Sequence, residues 1–148
     1  MQSLCWKEEL KKWLLIGDLD RLLPEISALQ GVLQPEEFHS EGDVFTHTLL
    51  AVDAVSHSSD ERVFWAVLLH DVGKATTTKK IDGRLRTWGH EKAGAAIVPN
   101  ILQRFNLLHI AEDVSWLVKH HGFMLSWGKD LTALTKKQIR FCGNPPEK

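Results

Sequence analysis

The sequence predicts an all-α fold, a single-domain helical bundle of six to seven helices. Three observations point there. Apolar residues recur at helical spacing almost everywhere. No segment shows a convincing alternation of period two, which a half-buried strand needs. The 148 residues suffice for one domain with a real core and are too few for two comfortable ones, so the expected domain runs over 1–148.

Leu10, Trp13 and Leu14 mark the apolar face of a first helix, with Lys7, Glu8, Lys11 and Lys12 on the other side and Gly17-Asp18 at its end. Leu19 to Leu33 is a weaker helical stretch whose Pro24 suits a first helical turn better than a helix middle. Gln34 to Gly42 reads as a loop. Asp43 then stands as an N-cap, and Val44 to Val55 is apolar nearly all round, which predicts a central helix. Ser59 or Asp60 opens the next helix, which runs through the apolar stretch Val63 to Leu69 into His70-Asp71. Gly73 to Gly89 is polar and basic and reads as a loop with a short hairpin around Asp82-Gly83. His90 to Phe105 is helical despite Pro99, which starts a new turn or kinks the helix. Ile110, Val114, Leu117, Val118 and His121 share one stripe of a further helix that Gly122 stops. Thr132 to Cys142 forms a last short helix before Gly143-Asn144-Pro145-Pro146.

A hydrophobic content of 43% with 25% charged residues places the chain among globular proteins. The formal net charge of -1 argues against bulk attraction to nucleic acid or membrane, so any RNA contact needs a local basic patch. Cys5 and Cys142 have no CxxC spacing and are too few for a disulfide scaffold or a cysteine-based zinc site. With no signal peptide and no apolar run near the roughly 20 residues of a membrane span, the expected compartment is the reducing cytoplasm, with no membrane partner.

The pair His70-Asp71 ends a run of seven apolar residues. Burying an imidazole and a carboxylate there is costly without compensation, and a metal ion that takes both as ligands is the simplest compensation. Neighbours on a helix point about 100° apart, so the two share one ion near the helix end or bridge two. His47 lies in an otherwise apolar helix and needs a polar partner. His90, His120 and His121 are available for a second ion, with His121 on the core stripe and His120 following Asp113 and Trp116 at helical spacing. His39, His57 and His109 carry no such context. Nitrogen and oxygen donors without thiolate suit one or two divalent ions among Mn, Ni, Mg, Co, Fe and Zn.

The pattern His47, then His70-Asp71 with Lys74 close behind, resembles the HD superfamily of metal-dependent phosphohydrolases. The additional His90 and His120-His121 resemble its two-metal versions, such as the HD-GYP phosphodiesterases, although Gly122-Phe123-Met124 stands where those carry Gly-Tyr-Pro. Phe38 to Leu49, Ala66 to Thr76 and Gly89 to Ala95 are similar to the HD domain of some bacterial tRNA nucleotidyltransferases, the CCA-adding enzymes. The likeness covers about residues 35–122. It implies an HD-like helical fold, a divalent metal centre and phosphate-ester chemistry. The nucleotidyltransferase catalytic domain is missing from these residues, so the chain is expected to be a free-standing HD protein or an excised piece. The family motif ends with an Asp on a late helix; here either Asp130 serves or that ligand is missing.

Between Lys74 and Trp88 lie five basic residues against one acidic. As a phosphate-binding rim, this segment would use Lys74, Thr76, Arg84 and Arg86 on phosphate oxygens; otherwise it is a solvated loop. Trp88, Trp116 and Trp127 are expected in the core, base stacking being the sharper alternative for Trp88. The expected function is metal-dependent hydrolysis of a phosphate ester on a nucleotide, cyclic nucleotide or RNA end, with a metal-activated water as nucleophile, Asp71 and Lys74 as catalytic groups, and His47, His70, Asp71, His90, His120, His121 and Asp130 as metal ligands. The alternative is a non-catalytic module that binds nucleotide or RNA beside a separate tRNA nucleotidyltransferase. The partner is then a phosphorylated small molecule, nucleotide or RNA end, with a homodimer left open.

Overall fold

A computed structural model describes residues 5–34, 42–57 and 60–121. The expected last helix and Trp127 lie outside the described residues.

Helix α1 (Trp6–Ile16) buries Leu10 and Trp13 and ends on Gly17, whose left-handed φ of 78° lets the chain turn back. The weak helical stretch after it is two short helices, α2 (Leu19–Leu22) and α3 (Pro24–Ser27). The break is local chemistry. Leu23 precedes a proline, whose ring disfavours the α region for it, and it sits at φ -136°, ψ 66° while Pro24 opens the next turn.

Helix α4 (Val44–Asp53) begins where the Asp43 side chain accepts the amide of Thr46. The other Asp43 oxygen accepts the amide of Gly31 at 2.8 Å, so one carboxylate caps α4 and anchors the preceding turn. Those two amides hold its pKa below the usual range. The expectation that this helix is central is corrected. It buries Val44, Thr48 and Val52 but leaves Leu50 54% exposed, so it lies at the edge of the bundle. The central element is α5 (Glu61–Leu69), capped by Asp60, with every residue from Val63 to Leu69 buried.

Past α5 the chain makes a tight turn into α6 (Lys74–Thr77) and a hairpin of β1 (Lys79–Ile81) and β2 (Arg84–Arg86). Lys80 pairs with Leu85 across it. Its turn is Asp82-Gly83, both at positive φ, as the tightest hairpin turns require. Helix α7 (His90–Arg104) contains Pro99 without a break, and after a short 3₁₀ turn (Leu108–Ile110) comes α8 (Ala111–Lys119). Helix α8 packs on both α7 and α5, and α4 packs on α5. The stripe Ile110, Val114, Leu117, Val118 and His121 is buried as expected. Trp6 packs edge-on against both Trp65 of α5 and Phe105, whose rings meet each other at a tilt, and this aromatic cluster fixes α1.

Pro99 has no N–H to give to the carbonyl of Ala95, four residues back. The hydroxyl of Ser115 on α8 donates to that carbonyl instead, at 3.1 Å. Ser115→Ala should therefore destabilise the fold by about 1 kcal/mol, read as a lower denaturation midpoint. In a Pro99→Ala background, where the helix can supply its own donor, the same change should cost less. An equal loss in both backgrounds would contradict this pairing.

Candidate metal centre

The site forms where several elements end. Helix α4 carries His47, the end of α5 delivers His70 and Asp71, His90 opens α7 and His121 follows α8. Their convergence depends on Gly73. A Cβ there would fall 2.1 Å from the carbonyl oxygen of His90 and 2.7 Å from the amide of Gly94, so only glycine lets the turn after Asp71 lie against α7.

The Asp71 carboxylate is the hub. One oxygen lies 3.1 Å from Nε2 of His70, 3.6 Å from Nε2 of His47 and 3.3 Å from Nζ of Lys74. The other lies 3.4 Å from Nε2 of His90 and 3.5 Å from Nε2 of His121. The donor atoms of His47, His70 and Asp71 all fall within 4.8 Å of one another, and so do those of Asp71, His90 and His121. Two overlapping triads thus share one carboxylate.

Three of the rings are aimed by the backbone. Nδ1 of His70 meets the carbonyl of Val67 at 2.5 Å, Nδ1 of His90 that of Thr87 at 3.0 Å, and Nδ1 of His121 that of Val118 at 2.7 Å. A carbonyl only accepts, so each Nδ1 donates and, in the neutral ring, each Nε2 turns a lone pair toward Asp71. Nε2 of His90 and Nε2 of His121 stand 3.1 Å apart. Lone pairs and carboxylate oxygens crowded at these distances demand positive charge among them, either ring protons or a cation. Metal-bound histidines are oriented in this way, with the second nitrogen donating to a carbonyl. The donor set fits a divalent ion.

Burial divides the cluster. The side chains of His70 and Asp71 are each 3% exposed, while His47 and His90 retain 24% and 15%, so a ligand reaches the centre on their side. Burial alone would raise the Asp71 pKa; with the second proton on the rings, the charge of His70 and hydrogen bonds from His121, His70 and His90 outweigh it and hold the carboxyl well below its ordinary range.

Lys74 sits at the start of α6 rather than in a loop, is buried, and reaches inward to Asp71. A solvated lysine is thereby excluded. His120 is not brought into the cluster: its ring packs on Trp116, centroids 4.7 Å apart, and burial lowers its pKa. Thr76 is exposed and donates its hydroxyl to the carbonyl of Gly73, while Arg84 lies exposed on the hairpin. Arg86 places its guanidinium 5.8 Å from the ring centroid of Trp88. Asp130 lies outside the described residues. His57 pairs with Glu8 at the surface, at 3.0 Å, with Cys5 nearby, and His109 is exposed. Sequence reasoning missed the carbonyls of Val67, Thr87 and Val118; each lies three residues before its histidine at a helix end, a spacing visible in the sequence.

No helix among the described residues is long and apolar enough to cross a membrane. The HD-domain family matches residues 43–140, more than half of the chain. Curated relatives include the multifunctional CCA proteins of Pasteurella multocida, 39% identical over 69% of this chain and 25% of its own length, and of Halorhodospira halophila, 45% identical over 69% of this chain and 24% of its own. That of Alkalilimnicola ehrlichii is 38% identical over 80% of this chain and 29% of its own. The chain spans about a quarter of the length of these relatives. No solved structure matches it. With its His–Asp centre on a helical bundle, the chain belongs to the HD-domain family, and its HD domain is of the kind found in CCA-adding enzymes.

Proposed function

We propose that this chain is a metal-dependent phosphohydrolase acting on a phosphate ester of a nucleotide, cyclic nucleotide or RNA end. The observation that carries the reading is the cluster of four Nε2 atoms around one buried carboxylate, with a lysine ammonium beside it. His47, His70 and Asp71 would hold one divalent ion, and Asp71, His90 and His121 a second, with Asp130 the candidate for the family's late ligand. Mn, Ni, Mg, Co, Fe and Zn all accept such donors. A bound ion supplies positive charge for phosphate oxygens and lowers the pKa of water.

The chain's own groups do the rest. Asp71 contributes the negative charge that retains a cation. The Val67, Thr87 and Val118 carbonyls keep three rings turned inward, so little reorganisation is needed on binding. Lys74 holds an ammonium at the same carboxylate, placed to neutralise a phosphate that enters beside His47 and His90. The likeness to multifunctional CCA proteins supports an RNA-end or nucleotide phosphate as substrate and makes 2′,3′-cyclic phosphates and 2′-phosphates the first esters to try. A hydrolysis screen with Mn, Ni, Mg, Co and Fe(II) tests the reading. Metal bound with no turnover on any ester would favour the non-catalytic nucleotide- or RNA-binding module.

Asp71→Ala should abolish turnover of the best ester in that screen, because both triads lose their shared anionic ligand. Turnover equal to wild type would sink the mechanism. Lys74→Ala should lower kcat/KM about ten- to a hundred-fold while metal content stays near wild type, since one charge-assisted contact is worth roughly 1.5–3 kcal/mol. Kinetics and metal analysis on the same sample decide it. A change within twofold, or metal lost in parallel with activity, would contradict the phosphate-binding role.

A further inference from the structure

Trp88 does not join the core where its size would place it. Among the described tryptophans, Trp13, Trp65 and Trp116 are buried and Trp6 packs in the aromatic cluster, whereas Trp88 is 70% exposed. Leaving so large an apolar ring in water forgoes most of its burial energy. The ring is nonetheless held. The Arg86 guanidinium lies over it at 5.8 Å, a cation–π contact that fixes it to the base of the hairpin. Trp88 is also tied to the metal centre. Thr87, just before it, accepts from His90 Nδ1, and His90 Nε2 lies 3.4 Å from Asp71. Only Gly89 separates Trp88 from His90, so the two lie at most about 7 Å of chain apart. The surroundings are cationic: Lys79, Lys80 and Arg84 are exposed on the same hairpin against the single acid Asp82.

We infer that Trp88, braced by Arg86, is a stacking platform for the nucleobase of the ligand whose phosphate meets the Asp71 cluster. This rests on the phosphohydrolase reading and narrows it to substrates that carry a base beside the scissile phosphate. An exposed ring beside a guanidinium stacks a base of any identity, because every base presents a π face. The platform therefore selects nucleotides and unpaired RNA ends over simple phosphate esters, without choosing among bases. The hairpin's positive charge favours an anionic partner over an apolar protein surface.

The test pairs adenosine 2′,3′-cyclic phosphate with methyl riboside 2′,3′-cyclic phosphate, which lacks the base, on full-length wild type, Trp88→Ala and Trp88→Phe. Binding is read by tryptophan fluorescence quenching and calorimetry, and turnover separately. Trp88→Ala should weaken binding of the adenosine compound about ten-fold and leave the base-free compound within twofold. Trp88→Phe should recover most of the loss. In the wild type, quenching by the adenosine compound should exceed that in either variant. Trp88-dependent binding without turnover would support the platform while contradicting hydrolysis. Turnover with equal kcat/KM on both compounds, or an unchanged Trp88→Ala, would support hydrolysis while overturning the platform. An equal loss on both compounds, or no binding of the adenosine compound, also overturns it. So does a wild-type dimer that Trp88→Ala dissolves, which would make the ring a protein anchor.

Discussion

The structure depends on a carboxylate placed where water does not reach it. Asp71 lies just past α5, the one helix among the described residues with seven consecutive residues buried, and an ionised carboxylate there is tolerated only if positive charge and hydrogen-bond donors converge on it. An ammonium and four imidazole Nε2 atoms surround it, and the rings supply that charge once they carry a second proton or share a cation. Each comes from a different place in the chain, so one buried charge sets how α4, the end of α5, the start of α6, the start of α7 and the end of α8 are arranged. The rings can meet it because the turn at Gly73 presses against the backbone of α7, closer than any side chain would permit.

The supporting contacts hold those elements in register. Gly94 lets α7 approach Val118 of α8 and the Gly73 turn together. Ser115 takes up the carbonyl that Pro99 leaves without its usual donor, so α7 runs uninterrupted along α8. At the opposite end of α5, Arg62 bonds both Asp60 and Asp113, joining the start of α5 to the first turn of α8; these two carboxylates raise the pKa of the guanidinium above its already high value. Helices α5 and α8 are thus pinned near both ends, by an ion pair at one and by the Asp71 cluster at the other.

Much of this was legible in the sequence. The all-helical class followed from apolar spacing, and the hairpin from Asp82-Gly83, whose small residues suit positive φ. The convergence at His70-Asp71 followed from a polar pair ending an apolar run. Other features are properties of packing and were not legible. The apolar composition of α4 suggested a central position, but an apolar outer face on an edge helix has the same composition. His120 and His121 are neighbours in sequence, yet the end of α8 turns one ring to Asp71 and the other onto Trp116, a choice made by the last helical turn. Lys74 read as the start of a loop because its burial depends on the turn at Gly73, and Trp88 read as core because size alone predicts burial. The phosphate-rim residues divide in the same way. Lys74 reaches the cluster, Arg86 braces Trp88, and Thr76 spends its hydroxyl on the backbone.

The claim that this cluster is a metal centre is tested most directly by X-ray absorption at the metal K edge on protein loaded with Ni or Mn. The structure predicts a first shell of nitrogen and oxygen at about 2.0–2.2 Å, with the outer-shell scattering of several imidazoles and no sulfur. A shell of water oxygens without imidazole, or a sulfur neighbour from the Cys5, Glu8 and His57 grouping at the surface, would contradict it.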